Sequence, residues 1–162
     1  MPTADFDHLR HAIALARRAR EHGNHPFGAL LANAAGKRLL EAENTVVTQR
    51  DCTNHAELNL VRLASHQLDR ATLQGCTLYT STEPCAMCAG AIFWSGIGRV
   101  VFALSEERLL AFAGGTSEES FLFLPCREVF ARGHRTVDVI GPLLEDEAAT
   151  VHAGFWLPKS AS

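Results

Sequence analysis

His55-Ala56-Glu57 and, downstream, Pro84-Cys85-Ala86-Met87-Cys88 are the stretches whose residue types and spacing can do chemistry. One imidazole and two thiols are ligands that zinc favours. A structural zinc site is closed by four protein ligands, whereas a catalytic one keeps a position open for water. His55, Cys85 and Cys88 leave that position open, and Glu57 stands two residues from the imidazole. A carboxylate beside an acidified water is what general acid–base catalysis needs. Cys52, three residues before His55, would close the site if it joined as a fourth ligand.

Such a group works only if local structure brings its members together. Cys85 and Cys88 are three residues apart, so they share one side of a helix that begins there. Pro84 suits a first helical position, where its missing N–H has no partner to lose. That helix is predicted over 85–94, with Ser95-Gly96 as its stop. Polar Asp51-Cys52-Thr53-Asn54 precedes a second helix that begins near His55, carries Leu58, Val61, Leu63 and Leu68, and ends before Gly75. If both helices start at one edge of a sheet, their first turns meet, and the positive helix ends favour thiolates over thiols.

The remaining pattern supplies that sheet. A helix is predicted over 5–21, with Phe6, Leu9, Ile13, Ala16 and Arg20 at helical spacing and Gly23-Asn24 as its stop. Strands are predicted over 27–32, 38–47, 76–80, 99–104 and 136–140. Short helices are predicted over 106–112 and 126–132, a loop over 116–124, and a C-terminal helix over 143–156. Alternation of this kind, read as α-β-β-α-β-α-β-α-β-α, implies a sheet covered by helices on both faces. One domain is expected over 1–157, followed by a frayed tail over 158–162.

Composition narrows the class. The chain has 162 residues, 47% hydrophobic and 20% charged, which suits a soluble globular protein without a membrane span. An acidic start leading into an Arg-rich helix is the wrong order for a secretory signal, so a cytoplasmic location is expected. In that reducing setting Cys52, Cys76 and Cys126 are expected as free thiols. The net charge of −3 and pI of 6.2 oppose a polyanionic partner such as nucleic acid. The basic cluster Arg17-Arg18-Ala19-Arg20 reads as a solvated helix end.

H-x-E with a distant P-C-x-x-C is the general signature of zinc nucleobase deaminases. On these motifs the chain resembles the cytidine-deaminase-like superfamily. The likeness runs from the first helix to the last and is strongest over 51–102. The stretch Leu78-Tyr79-Thr80-Ser81-Thr82-Glu83-Pro84-Cys85-Ala86-Met87-Cys88-Ala89-Gly90-Ala91-Ile92 resembles the branch of bacterial guanine deaminases and tRNA adenosine deaminases. Phe93-Trp94-Ser95-Gly96 leans towards the guanine deaminases. The resemblance implies a three-layer α-β-α fold with a mixed five-stranded sheet, one zinc ion per subunit, hydrolytic deamination and a homodimer.

The resemblance also assigns roles. His55, Cys85 and Cys88 match the zinc ligands, and Glu57 matches the proton shuttle. Asn44 matches an Asn that holds the substrate ring; its other reading is a strand-end Asn. Ala56, between ligand and shuttle, joins the substrate-binding set. Phe27 either stacks on the base or packs in the core. Glu119, in Glu118-Glu119-Ser120-Phe121, resembles an acid that recognises guanine, or else belongs to a solvated acidic loop. Phe155 and Trp156 either close the pocket or pack the last helix. His25 lies at the pocket mouth or on the surface, and the other histidines receive no role. The implied reaction is removal of an exocyclic amine from a small purine or related base, with guanine to xanthine plus ammonia first. A tRNA-editing adenosine deaminase and a cytosine or nucleoside deaminase stand as alternatives.

Overall fold

The computed structural model describes residues 3–113 and 121–156. Strands β1 (Gly28–Ala32), β2 (Arg38–Glu43), β3 (Thr77–Thr82), β4 (Arg99–Leu104) and β5 (Asp138–Ile140) form one sheet in the order β2-β1-β3-β4-β5. β1 runs antiparallel to both β2 and β3, while β3, β4 and β5 run parallel. The start of β1 therefore meets the ends of β2, β3 and β4 at one edge of the sheet. Phe27, Asn44, Cys85 and Glu106 all lie within three residues of those strand ends.

The helices are α1 (Thr3–Glu21), α2 (Val46–Gln49), α3 (Ala56–Gln67), α4 (Arg70–Gln74), α5 (Ala86–Ser95), α6 (Glu106–Ala113), α7 (Cys126–Ala131) and α8 (Glu145–Ala149). Strand side chains alternate between two cores. Ala29, Leu31, Leu78, Val100 and Phe102 face α3, α5 and α7. Leu30, Tyr79, Val101 and Ala103 face α1, α6 and α8. The expected α-β-α layering with a mixed sheet is therefore present. β1 and β3 are buried along their whole lengths, as central strands covered on both faces must be. Gly28 lets α1 approach β1 closely: a Cβ there would lie 2.5 Å from the Ala16 nitrogen and the Leu15 Cβ.

Several boundaries differ from the sequence expectation. β2 ends at Glu43, and 46–49 forms a helical turn in place of continued strand. Asn24 causes the change: its Oδ1 accepts from the Val47 amide, the Thr48 amide and the Thr48 hydroxyl. The helix expected from His55 to Gly75 is two helices. Asp69 starts the second by accepting from the Thr72 amide at 2.7 Å. The buried stripe of α3 is Ala56, Leu60, Val61 and Ala64, while Leu63 is 42% exposed. The C-terminal helix is short α8 followed by a 3-10 turn over Thr150–His152. The Arg17–Arg20 cluster is only partly a solvated face. Arg18 pairs with Glu41 and Glu43, and Arg20 donates to the Val151 and Ala153 carbonyls, tying α1 to the 3-10 turn and the residue after it.

Candidate metal centre and its surroundings

His55 is the N-cap of α3 and Cys85 the N-cap of α5. The sequence expected the helix over 85–94; it instead begins one residue later, at Ala86, with Cys85 as its cap. Both caps present their side chains where helix amides are unpaired and the dipole is positive. His55 Nδ1 lies 3.6 Å from Cys85 Sγ. The ligand atoms of His55, Cys85 and Cys88 all lie within 4.8 Å of one another. Cys88 is fully buried on the first turn of α5. Cys52 is exposed and outside this group, so the fourth position stays open among the described residues.

The electrostatics suit a cation. The Cys85 thiol is pushed down to about 4, first by its hydrogen bond with Cys88 and then by His55, against the cost of burial. The Cys88 thiol is pushed up by the same partnership and by burial. Its hydrogen bond to Cys85 raises the His55 imidazole. One thiolate, one thiol and one imidazole thus share protons that a bound divalent ion displaces. A borderline-soft ion with N and S preference fits this donor set.

Glu57 is 5% exposed, in the first turn of α3. Burial first, and then the charge of Cys85, push its carboxyl up. The Thr80 hydroxyl lies 2.8 Å from Glu57 Oε1 and 3.0 Å from the Thr82 carbonyl. Its single proton serves one of them at a time. Asn44 is buried at the end of β2. Its backbone amide donates to the Phe27 carbonyl at 3.1 Å, and its Oδ1 accepts from the Val46 amide at 3.0 Å. Ala56 is fully buried beside His55.

Phe27 does not choose between core and site, since it packs against both cores and leaves its ring partly exposed. That ring lies 5.5 Å from His152 and 6.2 Å from Trp156. Phe155 meets Trp156 and His25 edge-on, and Trp156 lies tilted against His25, within one chain. The aromatic group is thus continuous from the start of β1 to the last turn. Glu119 lies outside the described residues.

Sequence reasoning missed Glu83 and His152. The Glu83 carboxylate accepts from the Glu106 and Cys126 amides, both at 3.1 Å, and so joins the starts of α6 and α7 beside Cys85. Its place next to Pro84-Cys85 was the available signal. His152 and Trp156 are four apart, a helical neighbour spacing, but no helical pattern continues past them. A cavity lined by Arg127, Phe130, His134, Arg135 and Val137 opens elsewhere. Its arginines already bond the carbonyls of Val139, Gly141, Ile92, Phe93 and Ile97, and no candidate residue lines it.

The model of the cytidine and deoxycytidylate deaminase zinc-binding region matches residues 2–104. The chain belongs to this family. It is therefore an enzyme of the zinc-dependent aminohydrolase type with zinc as cofactor. Members similar to it differ in substrate. It is 43% identical over 152 residues to a probable cytosine deaminase of Schizosaccharomyces pombe, covering 94% of this chain and 92% of that one. A guanine deaminase structure from Nitrosomonas europaea is 29% identical, covers 90% of this chain and 80% of the other, and has a TM-score of 0.74. A tRNA:A34 deaminase structure is 30% identical, with 90% and 99% covered and a TM-score of 0.70. No helix among the described residues is long and apolar enough to cross a membrane.

Proposed function

We propose that this chain deaminates a small free heterocycle, guanine first, by hydrolysis with release of ammonia. The observation behind this reading is the convergence of His55, Cys85 and Cys88 beside the buried carboxyl of Glu57. His55, Cys85 and Cys88 would hold the zinc ion. When bound, zinc supplies a water acidified to a pKa of about 7.

Glu57 is the proton shuttle. Its carboxyl is disposed by burial to carry a proton, and it delivers protons to the ring nitrogen and the departing amine. Thr80 orients it. Asn44 holds the ring, Ala56 lies under it, and Phe27 stacks on it. Phe155 and Trp156 close the aromatic side and exclude water. Glu119 reads the N–H edge of guanine, where an acceptor-only carboxylate matches the donors. The chain acts as a cytoplasmic homodimer, for which Trp94, 78% exposed, is a candidate contact.

Cytosine is the second reading, favoured by the Schizosaccharomyces pombe relative that spans nearly the whole chain. A tRNA substrate is opposed by the net charge of −3 and by Glu145, Asp146 and Glu147 in the first turn of α8. The test is ammonia release by the zinc-loaded protein from guanine, guanosine, cytosine, cytidine, adenine, adenosine and unmodified tRNA. Glu57→Gln is the control. The expected result is turnover of guanine or cytosine, reduced about 10²- to 10⁴-fold in Glu57→Gln with zinc content unchanged. Activity on tRNA alone, or near-normal turnover in Glu57→Gln, overturns the reading.

A further inference from the structure

Among the described residues, Thr82 Oγ1, Glu106 Oε2 and His152 Nε2 are buried side-chain atoms without a hydrogen-bond partner. Nearly all such atoms in native interiors are paired, so each needs a reason. The three come from distant segments yet share one end of the sheet. Thr82 ends β3 and pairs with Leu104, the last residue of β4. Glu106 is two residues beyond Leu104. His152 lies against Phe27, at the start of β1. This is the edge where His55, Cys85 and Glu57 also gather.

His152 is the most sharply defined of the three. It is 2% exposed, and its ring is near-parallel to Phe112 and Trp156, at 12° and 14°. The Trp156 indole N–H donates to His152 Nδ1 at 3.0 Å. Indole nitrogen only donates, so Nδ1 holds a lone pair and the ring proton sits on Nε2. Burial, and then the charge of Arg20, hold the imidazole down to about 4, so it is neutral at pH 7. The Nε2–H therefore points away from Trp156 as a buried donor without an acceptor. Packing and accepting from Trp156 use only the ring faces and Nδ1, and they leave the Nε2–H, costly when buried unpaired, without a use.

We propose that His152 is a specificity-determining residue, donating its Nε2–H to the carbonyl oxygen of the bound heterocycle. This assignment rests on the small-heterocycle reading above. A site built to donate to such an atom rejects an analogue that lacks it, because the donor is then left buried and unpaired.

The test compares zinc-loaded wild type, His152→Phe and His152→Gln on two pairs of bases. Guanine is set against 2-aminopurine, and cytosine against 4-aminopyrimidine; the second member of each lacks the carbonyl oxygen. Wild-type turnover of guanine or cytosine decides the underlying reading by itself. On the base turned over, His152→Phe is expected to lose about 10- to 100-fold in kcat/KM, mostly through KM. Its preference for the carbonyl-bearing base should collapse while zinc content holds, and Tm should fall only by the loss of the Trp156 hydrogen bond, about 2–4 °C. His152→Gln, which keeps a donor, should recover part of the preference. An active wild type whose preference survives in His152→Phe overturns the proposal alone. So does an equal fall on both members of a pair, since a structural role lowers both alike. A wild type silent on both guanine and cytosine overturns the small-base reading and this assignment together.

Discussion

Replacing Glu83 by glutamine changes one oxygen to an amide nitrogen while keeping size and shape. In the wild type each carboxylate oxygen accepts one backbone amide, from Glu106 and from Cys126, at 3.1 Å. These are the first amides of α6 and α7, which have no partner within their own helices. Glutamine can accept only one of them, and its NH2 then faces the other as donor against donor. Loss of one hydrogen bond to a charged group costs about 1.5–3 kcal/mol. A smaller opposing effect comes from Glu106. Burial first, and Glu83 second, raise its carboxyl to about 7, so removing the Glu83 charge relieves a repulsion. The net loss should stay near about 2 kcal/mol, and for a domain of this length each kcal/mol moves Tm by about 2–4 °C. Thermal unfolding of zinc-loaded Glu83→Gln should therefore show a Tm lower by about 4–8 °C. Activity should fall as well, because Glu83, two residues before Cys85, ties that segment to the starts of α6 and α7. A Tm within about 1 °C of wild type would refute the idea that this carboxylate joins the two helix starts.

Two further changes probe the scaffold. Asp5 is 2% exposed and accepts from Tyr79 and Arg99, binding α1 to β3 and β4. Burial raises its carboxyl, but the bonds from Arg99 and Tyr79 outweigh this and leave it lowered. A lowered carboxyl contributes stability above its unfolded pKa of about 3.9, lost as pH falls through the lower folded value. Asp5→Asn should cost about 1–3 kcal/mol at pH 7, discounted because Arg99 is partly exposed, and the Tm gap from wild type should close in acid below about pH 4. A gap independent of pH would contradict the ion pair. Gly28→Ala should destabilise by about 3 kcal/mol, since its Cβ would meet backbone atoms of α1 that cannot step aside; urea unfolding with an unchanged midpoint would show that α1 and β1 do not pack this closely.

The candidate metal centre was legible because its determinants are local. His55 and Cys85 sit after polar or proline punctuation, and that punctuation starts the helices whose ends they cap. The sheet was legible for the same reason, since central strands read as apolar runs. What escaped depends on partners far away in sequence. Residues 46–49 turn because Asn24 captures three donors there, and nothing within the segment announces it. Arg20 looked like surface charge because its acceptors, Val151 and Ala153, lie over 130 positions on. Leu63 fitted a helical stripe by type but faces outward, because Ala56, Leu60, Val61 and Ala64 present a smaller, closer face to the sheet.

Local legibility and distant assembly meet at the sheet edge. An antiparallel β1 inserted between β2 and the parallel strands sends the start of one strand to the ends of three others. That reversal brings Phe27 and Asn44 to the place where the parallel half of the sheet already delivers Cys85 and Glu106. Burying a carboxyl beside thiolates there is costly unless positive charge arrives with it. The α3 and α5 N-termini supply part of that charge, and a divalent ion held by His55, Cys85 and Cys88 would supply the rest. The same burial that makes the edge favour a cation pushes the Glu57 carboxyl up, so the proposed metal-binding and proton-carrying roles would draw on one arrangement.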